Sequence, residues 1–196
     1  MIKNLIFDMG GVLIGYRWKE MLTEDFGVEE DRAFPIGEML FEDPIWRKFD
    51  AGLEPMETVL EHYVELYPED ATVIRRMFYE GERMSVKRER VWDRVRELKN
   101  SGYKIYVLSN YSEYLFKKHT KDVTILPIMD GIVVSYVTHS IKPDHAIYRY
   151  LLDKYGLKAE ECRFFDDNED NVNAAKELGM EAVLITSEEM LLKELE

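Results

Sequence analysis

Leu5-Ile6-Phe7-Asp8-Met9-Gly10-Gly11-Val12-Leu13 is an apolar run that carries one carboxylate onto a glycine-rich turn. Residues 3–8 are short, apolar and bounded by Asp and Gly, the pattern of a strand buried on both faces rather than an alternating surface strand. A carboxylate at the end of such a strand, followed at once by Gly-Gly, lies among backbone N–H groups able to hold an anion such as phosphate. Asp8 is therefore a candidate nucleophile or metal ligand. Equally, it is a residue that caps a strand while Gly10-Gly11 turn the chain.

The same pattern of strand followed by polar residues recurs downstream. Val91, Val95 and Leu98 form the stripe of a helix ending at Gly102, and Lys104-Ile105-Tyr106-Val107-Leu108 reads as a second buried strand delivering Ser109-Asn110. A helix follows Ser112, and residues 131–136 read as a third strand. Ile141-Lys142-Pro143-Asp144 opens a helix with Pro in its first turn, Ile147, Tyr150 and Leu151 on its inner face and Gly156 as its stop. Cys162-Arg163-Phe164-Phe165 is a fourth strand running into Asp166-Asp167-Asn168-Glu169-Asp170-Asn171. Residues 182–185 are a fifth, followed by a capping box of Thr186 with Glu189.

Strands alternating with helices imply an α/β fold with a parallel sheet and right-handed crossovers, in which ligands sit outside the carboxyl ends of the strands. Asp8, Ser109 and the Asp166-Asp167 pair all follow apolar strands directly, and Lys142 lies on a loop that reaches the same edge. Four independent caps explain this less well than one site.

Between about Tyr16 and Arg83 the character changes. Trp18, Met21, Leu22 and Phe26 recur at helical spacing, and Pro35, Gly37, Pro44, Gly52, Pro55 and Pro68 punctuate further short helical segments. Residues 1–15 and 84–196 thus read as the α/β core domain and residues 16–83 as a small helical insert. The insert's aromatics (Tyr16, Trp18, Phe26, Phe34, Phe41, Trp46, Phe49, Tyr63, Tyr67) suit a pocket lining, but at this spacing most are expected to form its own core.

With 196 residues, 46% hydrophobic and 33% charged, the chain is long enough for a sizeable core. A net charge of −13 argues against a broad nucleic-acid footprint or attraction to anionic membranes, so an anionic substrate needs a local positive centre. The single cysteine, Cys162, makes no internal disulfide and reads as a buried, inert thiol. No secretory signal and no membrane-spanning run is legible, and a cytoplasmic location is expected.

Asp8 and Asp167, with Asp166 behind, make an all-oxygen site suited to Mg²⁺. His62, His119, His139 and His145 show no paired ligand spacing, which argues against zinc. Lys142 and the Ser109 hydroxyl would neutralise and position phosphate oxygens. The chemistry that follows is phosphoryl transfer through an aspartyl-phosphate on Asp8.

These stretches resemble the haloacid dehalogenase-like hydrolase superfamily. Phe7-Asp8-Met9-Gly10-Gly11-Val12-Leu13 is similar to its first motif, Val107-Leu108-Ser109-Asn110 to its second, Lys142-Pro143-Asp144 to its third, and Phe165-Asp166-Asp167-Asn168 through Asn171 to its fourth. The resemblance implies a Rossmann-like doubly wound sheet of strand order 5-4-1-2-3, a helical cap inserted after the first strand, and Mg²⁺-dependent hydrolysis of a small phosphorylated metabolite. It makes Asp8 the nucleophile. Asp8, the carbonyl of Gly10 and Asp167 become metal ligands, with Asp166 and Asn171 supporting them. Met9, Gly10, Ser109, Asn110 and Lys142 become the phosphate holders.

Most phosphatases of that family carry an aspartate two residues after the nucleophile as acid and base; here Gly10 stands there. Gly10 together with Asp166-Asp167-Asn168 and Asn171 is similar to a bacterial branch that includes α-D-glucose-1-phosphate phosphatase, which makes a sugar phosphate one candidate substrate. In that branch carboxylates lie a few residues further on, where this chain has Gly15 and Arg17. If the missing acid limits turnover, Gly10→Asp is expected to raise it on alkyl phosphates. Two rival readings remain: a dehalogenase or phosphonate-cleaving enzyme, the latter using Lys19 or Lys48 for a Schiff base, and a phosphometabolite-binding regulatory domain.

Overall fold

Every residue of the strand Asn4–Phe7 (β1) is buried, and β1 takes the centre of a five-stranded parallel sheet. The computed structural model describes all 196 residues. Besides β1 the sheet contains Lys104–Ser109 (β4), Gly131–Val134 (β5), Cys162–Asp166 (β6) and Glu181–Leu184 (β7), in the order β5-β4-β1-β6-β7. Counted over these five strands alone, that is the expected order 5-4-1-2-3 read from the opposite edge. Two short strands, Ile14–Tyr16 (β2) and Ser85–Lys87 (β3), form a separate antiparallel ribbon in which Tyr16 faces Ser85.

Side chains one residue apart on β1 enter different cores. Leu5 and Phe7 join Ile105, Val107 and Phe165 under the helices Glu89–Asn100 (α6) and Glu188–Glu194 (α11), with Val91, Trp92, Val95 and Leu191. Ile6 joins Tyr106, Leu108 and Phe164 under His145–Tyr155 (α9) and Glu169–Glu177 (α10). Phe7 stacks on Phe165 at 4.9 Å between ring centroids, so the register of β1 on β6 is fixed by packing as well as by the ladder.

Between the ribbon strands lie Trp18–Glu20 (α1), running into a π turn at Met21–Asp25, then Glu30–Glu42 (α2), Pro44–Asp50 (α3), Met56–Leu66 (α4) and Ala71–Tyr79 (α5). The inward residues Met21, Leu40, Leu60, Tyr63 and Phe78 belong to the same continuous apolar core as Leu5 and Phe7. Helix α2 runs through Pro35 and Gly37, where the sequence suggested breaks. Gly37 is a packing residue: a Cβ there would lie 2.3 Å from the Trp18 ring.

Other local differences have local causes. The third strand stops at Val134 because Ser135–Thr138 (α8) turns helical, the Ser135 hydroxyl being bonded to the backbone of Asp50 and Tyr111. Pro143 precedes its helix instead of sitting in the first turn, since Asp144 caps α9 by accepting from the Ala146 N–H at 2.9 Å. The last helix is capped by Ser187, one residue later than expected, through the Met190 N–H at 3.1 Å. Glu113–His119 (α7) starts at Ser112 as anticipated. Cys162 is buried, its thiol pushed up to about 11 by that burial, in keeping with an inert role. No helix is long and apolar enough to cross a membrane.

Candidate active site

Asp8 leaves β1 with its N–H donating to the Phe165 carbonyl at 2.9 Å, one step beyond the strand, so its side chain emerges at the carboxyl edge of the sheet. Ser109 closes β4 and Asp166 closes β6, the two strands flanking β1, which brings all three to one place. Lys142 arrives from the loop before α9 with its side chain completely buried, its Nζ lying 2.5 Å from Asp166 Oδ2 and 3.0 Å from Asp8 Oδ1. Oxygens of Asp8, Asp166 and Asp167 lie within 4.8 Å of one another. The sequence placed these residues in one site, and the fold brings them together.

Within the cluster the carboxylates are used differently. Asp166 accepts from Lys142, from the Asn168 N–H at 2.9 Å and from Asn171 Nδ2 at 3.0 Å, so its lone pairs point into the protein. Asp8 Oδ1 pairs with the Lys142 ammonium at 3.0 Å and accepts from the Met9 N–H at 2.7 Å, and the Ser109 hydroxyl lies close enough to help stabilise the carboxylate. Burial, and then the neighbouring Asp166 and Asp167, push Asp8 up to about 7 despite the opposing pull of Lys142. Partial desolvation and Asp166 likewise raise Asp167, although it is the exposed member. Burial alone would lower Lys142, but Asp166 and Asp8 outweigh it and hold the ammonium charged. Three carboxylates against one ammonium leave a net negative site.

The two glycines of the first turn serve different neighbours. Gly11 has a φ of +67°, and a Cβ there would lie 1.9 Å from Asp167 Oδ2. A Cβ on Gly10 would lie 2.3 Å from the Tyr16 hydroxyl. Gly10→Asp therefore cannot simply add a carboxylate to the site, because the phenol must first leave. Arg88 ties the turn down by donating to the Val12 carbonyl at 3.0 Å and to that of Gly11.

Two residues expected to hold phosphate are engaged within the chain. Asn110 spends its side chain on the Lys142 backbone, donating to the carbonyl at 2.9 Å and accepting from the N–H at 2.7 Å, so its amide fixes the lysine rather than facing a ligand. The Met9 N–H is occupied by Asp8, and its side chain is core. The Ser109 hydroxyl, in contrast, is buried and makes no well-formed hydrogen bond, although it lies near enough to Asp8 to favour that carboxylate. A buried hydroxyl in that state is costly unless something absent from the chain completes it.

Beside this cluster lies a cavity of about 280 Å³. Asn110, Tyr111 and His119 wall it on one side, and Tyr16, Trp18, Phe41, Trp46 and Asp50 on the insert side. Four of the nine insert aromatics thus line a pocket, while Phe49 and Tyr63 are core as expected. Asp50, Tyr111 and His119 were not singled out from sequence; Asp50 reaches the site only because α3 packs on Ser112 and Ser135, a contact with no local signature.

Asp50 is raised to about 7 by burial, opposed only by the Ser112 N–H it accepts. A carboxyl whose folded pKa is raised binds protons more tightly folded than unfolded, so it lowers stability as the pH climbs from about 4 to about 7. Asp50→Asn is expected to gain Tm relative to the parent across that window and to hold the gain above it. Parallel melting curves from pH 4 to 8 check this; a pH-independent difference would contradict it.

A profile of haloacid dehalogenase-like hydrolases matches residues 2–179. The chain belongs to that hydrolase family. Over its whole length it is 26% identical to drimenol cyclase drtB of Aspergillus calidoustus, spanning only 36% of that longer protein. It is 27% identical to sesquiterpene phosphatase astK of Aspergillus oryzae, over 94% of this chain and 90% of the relative. The fold matches a family enzyme from Bacteroides thetaiotaomicron, crystallised with magnesium and inorganic phosphate, with a TM-score of 0.73 and 24% identity over 94% of each chain. As a family member, this hydrolase has relatives named phosphatases, and its three-carboxylate cluster has the composition of a metal site.

Proposed function

We propose that this hydrolase is a Mg²⁺-dependent phosphomonoesterase that works through an aspartyl-phosphate on Asp8. The observation that carries the reading is the juxtaposition of Asp8, Lys142, Asp166 and Asp167 with the buried Ser109 hydroxyl at one sheet edge. The donor set fits Mg²⁺: it is all oxygen, crowded and net negative. Asp8 Oδ2, the Gly10 carbonyl and Asp167 would hold the ion, with Asp166 and Asn171 fixing the cluster from behind. When bound, Mg²⁺ offsets the repulsion between the carboxylates and a phosphate dianion and polarises the phosphoryl group.

The chain's own groups supply the rest. Lys142 and the Ser109 hydroxyl grip phosphate oxygens, while Asn110, through the Lys142 backbone, keeps the ammonium in place. The Lys142 ammonium, 3.0 Å from Asp8 Oδ1, also favours the charged form of Asp8 that attacks. In the first half-reaction an Asp8 oxygen bonds to phosphorus and the ester oxygen departs; in the second, water displaces Asp8 and releases phosphate.

Residues 16–83 act as a cap over this edge and choose the substrate. Trp18, Phe41 and Trp46, with Met84 and Leu115, offer apolar walls to whatever the phosphate carries. That lining favours a phosphate ester with an apolar organic part over a sugar, whose hydroxyls would face aromatic rings without partners. The sesquiterpene phosphatase among the relatives points the same way. The motif likeness to the α-D-glucose-1-phosphate phosphatase branch then concerns the site and not the substrate. Retention of Asp167 beside Asp8 speaks against a metal-free dehalogenase.

Hydrolysis of an aryl phosphate with and without Mg²⁺, alongside prenyl and hexose monophosphates, tests the reading. Mg²⁺-dependent turnover with kcat/KM higher for the prenyl ester is the expected outcome. Mg²⁺ binding with no turnover of any ester would leave a binding domain instead. Gly11→Ala, which drives a methyl group against Asp167, is expected to weaken Mg²⁺ binding about 10–100-fold, as disturbed metal ligands do. Titration calorimetry with Mg²⁺ alone checks it, and unchanged affinity would remove Asp167 from the ligand set.

A further inference from the structure

Position 10, where most phosphatases of this family keep a carboxylate, has no side chain, yet its space is not empty. The Tyr16 hydroxyl is 2.3 Å from where a Cβ on Gly10 would stand, and Tyr16 Cε2 is 2.6 Å away. We propose that this hydroxyl is the reaction's proton donor to the leaving oxygen and its proton acceptor from water, in place of the carboxylate that Gly10 lacks. The proposal rests on the aspartyl-phosphate reading above.

Tyr16 is held from behind. It ends β2, paired with Ser85 of β3, so its backbone is fixed by the ribbon rather than by a mobile loop. Its hydroxyl bonds to the Tyr111 hydroxyl, which lies 2.9 Å from His119 Nδ1, and His119 Nε2 lies 2.9 Å from the Gly81 carbonyl. A carbonyl only accepts, so Nε2 carries the hydrogen and Nδ1 is the acceptor. Burial holds His119 down to about 4, so the ring is neutral. The direction of the chain follows: Tyr16 donates to Tyr111, and Tyr111 donates to His119. Tyr16 also walls the cavity that would take the organic part of the ester, which places its hydroxyl between that cavity and the turn bearing Asp8.

The steps balance. As the Asp8 oxygen bonds to phosphorus and the bond from phosphorus to the ester oxygen breaks, the electron pair goes to that oxygen; the Tyr16 O–H rotates from Tyr111 toward it and gives up its proton, and the oxygen leaves as the alcohol. Tyr16 is then a phenolate, and the Tyr111 O–H turns from His119 to donate to it. When water attacks phosphorus and the bond to Asp8 breaks, the water proton returns to Tyr16. Tyr16 thus ends the cycle protonated, as it began. A poor leaving group is where such a donor matters most.

Asp50 is the rival donor, being the one carboxyl in the cavity lining. The test compares Tyr16→Phe and Asp50→Asn with the parent on an activated aryl phosphate and a primary alkyl phosphate, with Mg²⁺. Because kcat/KM reports only steps through departure of the ester oxygen, it isolates the donor. Tyr16→Phe is expected to lose about 10²–10⁴-fold in kcat/KM on the alkyl ester and less than about tenfold on the aryl ester. On the aryl ester its kcat should fall and phosphorylated Asp8 accumulate, since water has lost its base. Tyr111→Phe should show the same ester dependence more weakly, with KM unchanged. Equal losses on both esters, or an ester-dependent loss in Asp50→Asn alone, would overturn the assignment to Tyr16. A parent inactive on both esters, or an Asp8→Asn variant as active as the parent, would instead overturn the phosphatase reading, and the role of Tyr16 with it.

Discussion

Asp8→Asn is expected to fold as the parent does and to lose turnover by at least about 10⁴-fold, the scale on which enzymes lose activity when a covalent nucleophile is removed. Folding survives because Lys142 keeps Asp166, 2.5 Å away, as its counter-charge, and because the amide replaces a carboxyl that burial has already pushed up to about 7. Stability should even rise slightly above pH 7, where the parent keeps a charged Asp8 buried, and beside Asp166 and Asp167. Melting curves and steady-state rates on the same preparation separate the two effects. A variant that retains turnover would remove the covalent step; one that fails to fold would mean that Asp8 is chiefly structural.

Lys142→Met is the change with the largest expected cost to the fold. The side chains of Lys142 and Asp166 have no exposed surface, and that of Asp8 keeps 12%. Removing the ammonium leaves two carboxylates facing each other without a cation, and breaking a buried pair in this way costs about 3–5 kcal/mol. For a chain of this length that is a fall in Tm on the order of 10 °C. Without its counter-charge Asp8, already raised by burial, is raised further in the folded state, so the deficit should grow as the pH rises from about 4 through neutrality. Mg²⁺ should recover part of it by supplying a replacement charge. A Tm insensitive to both pH and Mg²⁺ would mean that Lys142 does not neutralise the cluster.

The sequence made the sheet legible because its strands are buried on both faces and stop at residues that cannot be buried cheaply. Asp8, Ser109 and Asp166 each follow such a run, and a parallel sheet sends all of them to one edge. What stayed hidden depends on partners distant in the chain. The β2–β3 ribbon pairs Tyr16 with Ser85 across the whole helical insert, and three-residue strands carry too little alternation to be read. Asp50 looks like any acidic residue at a helix end until α3 docks on Ser112. Gly10 reads as a simple loss from sequence, whereas the fold shows its space taken by the Tyr16 hydroxyl. Asn110 reads as a ligand group because it follows Ser109, but its amide is satisfied by the Lys142 backbone. Pattern located the site; packing distributed the roles.

The proton-transfer proposal and the substrate preference both depend on covalent attack by Asp8. The measurement that reaches it most directly is acid quenching of the protein during turnover of an aryl phosphate with Mg²⁺, followed by peptide mapping by mass spectrometry. The expected result is a phosphoryl group on the peptide containing Asp8, absent from Asp8→Asn and enriched in Tyr16→Phe. Sustained turnover with that peptide unmodified in every variant, or with the phosphoryl group on another residue, would contradict it.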